Sequence, residues 1–353
     1  MTPAISRRGV LAGALALTGC NRPAEAQALM ASGPVPGLKT VAPFRVGTCV
    51  QDSHLQDPAW VRLAQTHCSQ ITPEWEMKME YIVQDDGSFR FDRPDRIAAF
   101  ARANGMGLYG TTLVWYDQKP PAFLKLDEGR VGFGQAFDNY ITAVVGRYRG
   151  AVGWDVVNEV IAEDGDGWRE SLWASRLGDF DHMVRAFRVA HEADPNAVLF
   201  LNDYNLESLP RKFDSFQRLV GKLLAAGVPL GGLGCQSHLN ADMPAGSMTR
   251  TLAQLARFGL PIHLSELDVS QTRSQVSFGS PAGLAQAQAR VYAETAEAFC
   301  ALPRSQQFAF TLWGLRDQDS WLRAENIKDM PAPFDELGQA KLPAQVLARA
   351  FAD

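Results

Sequence analysis

The chain has 353 residues, of which 46% are hydrophobic and 21% are charged, and its formal net charge at pH 7 is -5. This composition is typical of a soluble globular protein, and although the length would suit two average domains, α/β barrels of this length form one. The acidic balance argues against a nucleic-acid partner, because proteins that bind nucleic acids carry a basic excess or a basic stripe.

The first predicted element is an export signal over residues 1–28. Arg7 and Arg8 precede an apolar run that ends at Leu17, and this run is too short to span a bilayer, so the segment resembles a twin-arginine signal. The sequence LTGC, ending at Cys20, resembles a lipobox and would attach a lipid there, whereas AEAQA just downstream offers sites for ordinary cleavage. We expect an exported protein that is periplasmic, anchored to the outer membrane or secreted, and in the lipobox alternative the lipid on Cys20 would be its only membrane attachment.

A segment rich in Ala, Pro and Gly, residues 29–40, is predicted to be a tether, and residues 41–353 are predicted to form a single domain. The cysteines of this domain lack the close pairing of a metal site. Proteins that follow the twin-arginine route fold before export, so disulfides are not required. We predict buried free thiols, with a Cys49–Cys68 disulfide as the alternative. The cysteines concerned are Cys49, Cys68, Cys235 and Cys300.

From residue 44 onward one pattern repeats eight times: a short apolar run rich in β-forming residues ends in polar residues, and a longer amphipathic stretch follows. The predicted strands are 44–50, 69–74, 106–115, 152–159, 197–203, 232–239, 261–268 and 307–314. Helical patterns between and after them include 181–193, 213–227, 285–302 and 342–352.

Alternation of strands and helices predicts a parallel sheet, and eight such units with almost continuously apolar strands predict a closed (β/α)8 TIM barrel. The alternative is an open, doubly wound sheet. That fold usually carries a glycine-rich phosphate-binding turn after its first strand, and residues 46–51 contain no such turn. The predicted fold class is therefore α/β, a single (β/α)8 barrel.

In such barrels the active site lies at the carboxyl ends of the strands. The side chains predicted there are carboxylates, amides, one imidazole and large aromatic rings. They are Glu74, Trp75, Lys78, Trp115, Tyr116, Asn158, Glu159, Asn202, Asp203, Tyr204, Asn205, Gln236, His238, Glu266, Asp268, Trp313 and Trp321. This set suits a sugar, because hydroxyls need amide and carboxylate partners and the apolar faces of pyranose rings stack on indoles.

Other kinds of site are not indicated. His238 has no His or Cys partner at ligand spacing, so the sequence predicts no metal. It also contains no glycine-rich phosphate cradle at the strand ends and no G-x-S-x-G nucleophile motif. We therefore predict chemistry without a cofactor.

Hydrolysis of a glycoside requires two carboxyl groups on either side of the scissile bond. Glu159 and Glu266 end the fourth and seventh predicted strands, 107 positions apart, so they would face each other across the barrel mouth. A separation of about 5–5.5 Å between the two groups would predict retention of anomeric configuration.

The motifs WDVVNE and HLSELD, in this order, resemble glycoside hydrolase family 10, the endo-xylanase family. Five further segments occur in family order and extend the resemblance over nearly the whole mature chain: ITPEWEMK (71–78), TLVWYDQKPP (112–121), LNDYN (201–205), GLGCQSHL (232–239) and LWGLRDQDSW (312–321). The resemblance implies a retaining endo-1,4-β-xylanase that acts on xylan or xylo-oligosaccharides without a cofactor, and we expect a monomer.

By this resemblance Glu159 is the general acid/base and Glu266 is the nucleophile. Asn158 would bind the 2-hydroxyl of the sugar, a contact that strengthens as positive charge develops on the ring. His238 and Asp268 would hold and polarise Glu266. The other implied sugar-binding or supporting residues are Glu74, Lys78 and Gln236 for the glycone, Trp313 and Trp321 over subsite −1, Trp115 at its wall, Tyr204 on the leaving-group side and Asn202.

Three positions depart from the family pattern. Trp75 stands where the family usually has Asn, and Thr111 and Tyr116 stand where it usually has His. We predict that all three lie on the glycone side. Because a lost hydrogen bond to a sugar hydroxyl changes discrimination, we also predict altered recognition at subsite −2.

Two alternatives follow from the same residues. A divergent member of the family would cleave another β-linked oligosaccharide or a plant glycoside. A lipoprotein that binds glycans without cleaving them would belong to another class, but it would have no need for both Glu159 and Glu266. Among other polar features, His263 is predicted to pack against the surrounding helices, and the acidic residues 163–166 to form a solvated loop rather than a calcium site.

Overall fold

The computed structural model describes residues 35–126 and 130–353, without the side chains of residues 130 and 131. The predicted export signal, Cys20 and residues 29–34 of the predicted tether lie outside the described residues. Within the described part of the chain, no helix combines the length and the apolar character needed to cross a membrane.

Eight parallel strands form a closed barrel, which confirms the predicted fold. The described strands are β1 (Arg45–Val50), β2 (Gln70–Pro73), β3 (Gly107–Gly110), β4 (Val114–Trp115), β5 (Gly153–Asn158), β6 (Val198–Asp203), β7 (Gly232–Cys235), β8 (His238–Asn240), β9 (Ile262–Ser270) and β10 (Gln307–Leu312). The barrel order is β1-β2-β3-β5-β6-β7-β9-β10, and it closes because β10 pairs with both β9 and β1.

Two predicted strands are each interrupted. The third becomes β3 and β4, and the sixth becomes β7 and β8. Between β7 and β8, Ser237 has a φ of 63°, a left-handed conformation that ends an extended strand. The short strands β4 and β8 pair with β5 and β9, the two strands that carry the predicted catalytic glutamates. They thereby extend the barrel wall on both sides of its mouth.

Helices cover the outside of the barrel. They are α1 (Leu38–Val41), α2 (Pro58–His67), α3 (Met79–Ile82), α4 (Asp92–Ala103), α5 (Pro121–Leu124), α6 (Arg130–Arg147), α7 (Leu172–Leu177), α8 (Asp181–Ala193), α9 (Pro210–Ala225), α10 (Ser247–Leu255), α11 (Pro281–Cys300), α12 (Leu322–Glu325) and α13 (Leu342–Ala352). Short 3-10 turns span Asp52–Gln56, Ala256–Phe258, Arg304–Gln306 and Asp317–Asp319.

Helix α8 shows why the helical pattern could be read from the sequence. Its buried residues recur every three or four positions, at Met183, Phe187 and Ala190, so one apolar face covers the barrel wall. Helix α11 begins at a comparable local signal, since the Ser280 hydroxyl accepts a hydrogen bond from the amide of Gly283. Both features are local, and both therefore survive in the sequence pattern.

Because of helix α1, the domain begins before residue 41, the start predicted from the sequence. Its first residue, Leu38, is fully buried, and its amide nitrogen donates to Nδ1 of His67 at 3.3 Å. Residues 38–40, assigned to the tether from the sequence, therefore belong to a helix of the barrel domain.

A bulge in β9 changes which side chains face the barrel interior. The pairing with β10 joins Leu264 to Phe310 but Leu267 to Leu312, so β9 carries one extra residue between the two pairs. His263 contacts Tyr109 of β3 with ring centroids 4.4 Å apart, and β3 is not a neighbour of β9 in the sheet, so this contact crosses the interior. The prediction that His263 faces the helices is wrong, because it assumed unbroken alternation up to Glu266.

The four cysteines among the described residues are free thiols. Cys49, Cys68 and Cys235 are buried, and Cys300 is half-buried. Burial raises the pKa of the Cys68 thiol to about 12, so it remains protonated. The alternative of a Cys49–Cys68 disulfide is therefore not realised.

Candidate active site

The carboxyl ends of the strands surround a cavity of about 580 Å³. Its lining combines carboxyl groups, amides, one imidazole and aromatic rings, the set predicted for a sugar, and adds the guanidinium groups of Arg93 and Arg273. The lining residues are Gln51, Glu74, Trp75, Glu76, Lys78, Arg93, Trp115, Glu159, Tyr204, Asn205, Gln236, His238, Glu266, Arg273, Trp313 and Trp321.

Glu159 follows the last residue of β5 and turns into the cavity. Its φ is 55°, an uncommon conformation for a residue other than glycine, and its amide donates to the carbonyl of Asn202 at 2.8 Å. Its Oε1 accepts from Nε2 of Gln236 at 2.9 Å, and its Oε2 accepts from Nε1 of Trp115 at 2.7 Å. The carboxyl group is thus held at both oxygens.

The surroundings of Glu159 favour its protonated form. Burial raises the pKa of Glu159, and the negative charge of Glu266 acts in the same direction. The hydrogen bonds from Gln236 and Trp115 oppose this rise without cancelling it. A carboxyl group with a raised pKa keeps its proton to a higher pH than an ordinary glutamate, which suits a proton donor.

Glu266 lies in β9, and its carboxyl group contacts the imidazole of His238. Its Oε2 is 3.3 Å from Nε2 of His238, and Nδ1 of His238 is 3.1 Å from Oδ2 of Asp268. Burial alone lowers the pKa of His238, but the two carboxylates outweigh it and raise that pKa to about 10. His238 is therefore an imidazolium at neutral pH and places a positive charge beside the Glu266 carboxyl group. Trp321 closes this side, because its Nε1 donates to Oδ2 of Asp268 at 2.9 Å.

Two amides join the glutamates. Nδ2 of Asn202 donates to Oε1 of Glu266 and to Oδ1 of Asn158, each at 3.0 Å, and Nδ2 of Asn158 donates to Oε1 of Glu159 at 3.2 Å. The hydroxyl of Ser265 donates to Oδ1 of Asn202 at 2.8 Å. That bond sets the orientation of the Asn202 amide, since only its nitrogen can then face the carboxylate. The carboxyl groups are consequently held in one network.

One side of the cavity contains a cation between two indoles. Nζ of Lys78 lies 5.3 Å from the ring centroid of Trp75 and 4.7 Å from that of Trp115. Burial raises the pKa of nearby Glu74, whose Oε2 accepts from Nε2 of Gln51 at 3.1 Å. Trp75 is 45% exposed, so its ring is available to a ligand.

The three positions that depart from the family pattern do not lie together. Trp75 lines the cavity, whereas Thr111 is buried and does not contribute to the cavity lining. The ring of Tyr116 contacts the guanidinium of Arg169, which donates to the hydroxyl of Tyr204. The structure therefore does not bring the three positions together, and Tyr116 lies on the side of Tyr204, which the resemblance assigns to the leaving group.

The acidic residues 163–166 include one participant in this region. Glu163 is half-exposed and pairs with Arg169 at 3.1 Å and with Lys212 at 3.2 Å. Among the described residues, no group of three or more His, Cys, Asp or Glu side chains is arranged to hold a metal ion.

Sequence reasoning missed part of the lining. Gln51 directly follows β1, and the same attention to strand ends would have found it. Asn205 follows β6 and stood in the predicted strand-end set without an assigned role. Glu76, Arg93 and Arg273 also line the cavity, but they come from loops and from a helix, where no strand-end signal marks them.

Comparison with known proteins gives a consistent result. The model of the family described as Glycosyl hydrolase family 10 matches residues 38–350. The chain is 34% identical over 312 residues to endo-1,4-beta-xylanase B of Paenibacillus barcinonensis, covering 84% of this chain and 92% of that protein. It is 36% identical over 317 residues to endo-1,4-beta-xylanase A of a Caldicellulosiruptor species, covering 84% of this chain.

The chain spans less than half of that second relative, 45% of its length. Among solved structures, it superposes on a family 10 structure from Paenibacillus barcinonensis with a TM-score of 0.83 and 31% identity. This match covers 89% of this chain and 97% of the other.

Proposed function

The chain belongs to glycosyl hydrolase family 10, and from this we propose that it is a retaining endo-1,4-β-xylanase that hydrolyses internal bonds of xylan. The observation that carries the proposal is the pair of glutamates in one cavity. The surroundings of Glu159 raise its pKa, and the imidazolium of His238 lies beside Glu266. Glycoside hydrolysis by double displacement needs one protonated and one ionised carboxyl group.

In the first step, we assign Glu159 to deliver its proton to the glycosidic oxygen while Glu266 attacks the anomeric carbon. The C–O bond to the leaving sugar breaks, and a glycosyl ester forms on Glu266. Once Glu266 is esterified, its negative charge no longer raises the pKa of Glu159. Glu159 can then accept a proton from water, which attacks the anomeric carbon and releases Glu266 as a carboxylate.

A substrate panel tests the proposal. The purified protein is incubated with xylan, β-glucan, mannan and aryl β-xylosides, and reducing ends are measured together with viscosity. We expect xylan to lose viscosity early, as internal cleavage requires, and the first product to be the β-anomer by NMR. Cleavage of mannan or β-glucan without cleavage of xylan would contradict the proposed substrate. Binding without hydrolysis of any of them would indicate the glycan-binding alternative.

Within this function, we propose that Trp75 weakens recognition at subsite −2. Its indole offers a stacking surface but no amide for the hydroxyls that the family's usual Asn would bind. The variant Trp75→Asn is expected to raise the ratio of kcat/KM for an aryl xylobioside to that for an aryl xyloside. One regained hydrogen bond is worth about 1 kcal/mol, or about fivefold in this ratio. Steady-state kinetics on both substrates measures it.

The control for this experiment is Trp75→Phe, which keeps an aromatic ring and supplies no amide. We expect it to leave the ratio near the value of the wild type. An unchanged or lower ratio in Trp75→Asn would show that Trp75 is not the cause of altered recognition.

A further inference from the structure

Tyr204 lines the cavity and is supported from one face by a buried cation. Nζ of Lys212 lies 3.4 Å from the centroid of its ring, and the Lys212 side chain is fully buried. The ammonium is neutralised by Asp203 at 3.0 Å and by Glu163 at 3.2 Å. Since one face of the ring is covered, only the opposite face of Tyr204 can stack on a sugar.

The tip of the same ring is held by Arg169. Its Nη2 donates to the Tyr204 hydroxyl at 2.6 Å and to Oε2 of Glu163 at 3.1 Å. Its own amide donates to the carbonyl of Val160 at 2.7 Å, one residue after Glu159. Arg169 therefore contacts Tyr204 through its guanidinium and, through its backbone amide, the residue that follows Glu159.

Tyr116 holds Arg169 in turn. The Arg169 guanidinium carbon lies 4.4 Å from the centroid of the Tyr116 ring. Among the described residues, the buried Nε of Arg169 has no hydrogen-bond partner. A neutral ring attracts the cation through its negative face, whereas a protonated histidine at this position would repel it. The tyrosine in place of the usual histidine thus favours a fixed guanidinium.

The contacts continue to the catalytic carboxyl group. The rings of Tyr116 and Trp115 meet edge to face with centroids 6.0 Å apart, and Trp115 donates to Oε2 of Glu159. Tyr204, Arg169, Tyr116 and Trp115 therefore form a continuous wall that ends on the acid/base residue, the group that must face the departing oxygen.

We infer that Tyr116 and Arg169 are positioning residues that fix Tyr204 as the surface on which the leaving-group sugar stacks. This inference rests on the proposed function and extends it to the recognition of the sugar beyond the scissile bond. A substrate with a sugar leaving group depends on the pair, and a substrate with a very small leaving group does not.

The test compares xylotetraose with β-xylobiosyl fluoride, which share the glycone but differ in the leaving group. In Arg169→Met, kcat/KM for xylotetraose is expected to fall about tenfold, from the loss of one charged hydrogen bond and one cation–π contact. For the fluoride it is expected to change less than about twofold, because fluoride makes no stacking contact. Tyr116→Ala should show the same selective loss, about fivefold, and Tyr116→Phe, which keeps the ring, a smaller one.

Arg185→Met serves as a matched control. It also removes an arginine, which pairs with Asp138 at 2.6 Å between two outer helices. It should leave both substrates unaffected. Equal losses on both substrates in the Arg169 and Tyr116 variants, or no loss on either, would overturn the inference. A wild-type protein that cleaves neither substrate would overturn the proposed function, and the inference with it.

Discussion

Replacement of Glu266 by alanine is expected to lower kcat on xylan by about 10⁵-fold, because no covalent glycosyl intermediate can form without the nucleophile. Alanine leaves a small space at the attacked face of the sugar. Added azide should occupy it and restore part of the activity on an activated aryl β-xyloside. Since azide then displaces the leaving group in one step, the product should be the α-glycosyl azide, identified by NMR.

Glu294→Ala is the control for Glu266→Ala, because Glu294 pairs with Arg290 on the outer helix α11 at 3.1 Å and should be dispensable for hydrolysis. Thermal unfolding of each variant shows whether the barrel is intact. A β-glycosyl azide from Glu266→Ala would mean that the two glutamates have exchanged roles, and undiminished hydrolysis would remove Glu266 from the mechanism.

Replacement of Glu159 by alanine is expected to lower kcat by an amount that depends on the leaving group of the substrate. Xylo-oligosaccharides need a proton on the departing oxygen, so their kcat should fall by about 10³–10⁴-fold. A dinitrophenyl glycoside departs without that proton and should still form the glycosyl ester, which then accumulates because no base activates water. Azide should release it as the β-glycosyl azide, with retained configuration. Burst kinetics and NMR measure both results.

The pH dependence gives an independent check on Glu159. In the proposed mechanism the wild type is active while Glu159 is protonated, so kcat/KM should fall as the pH rises through the pKa of Glu159. Burial raises this pKa, and that falling limb should therefore lie above the ordinary range of a glutamate. In Glu159→Ala on the dinitrophenyl substrate the falling limb should disappear. Its persistence would assign the limb to another group.

The barrel and the cavity that contains Glu159 and Glu266 were largely accessible from the sequence. The buried face of α8 follows the helical period, and β5 and β6 are mostly apolar runs, interrupted in β5 by Asp155, that end in Asn158 and Asp203, so local patterning defines them. Parallel strands bring their carboxyl ends to one rim. The predicted meeting of Glu159 and Glu266 in one cavity followed from that rule and from the resemblance to glycoside hydrolase family 10, although β9 continues to Ser270, beyond Glu266.

Other features depend on contacts between distant segments and have no local signal. The extra residue in β9 turns His263 into the barrel, and it arises from the pairing of β9 with β10. The direction of Tyr116 depends on Arg169, 53 positions later, which binds its ring. A strand period or a motif specifies the neighbours along the chain. The partners across a closed barrel are selected by packing and charge once all strands are in register, and only the folded chain shows them.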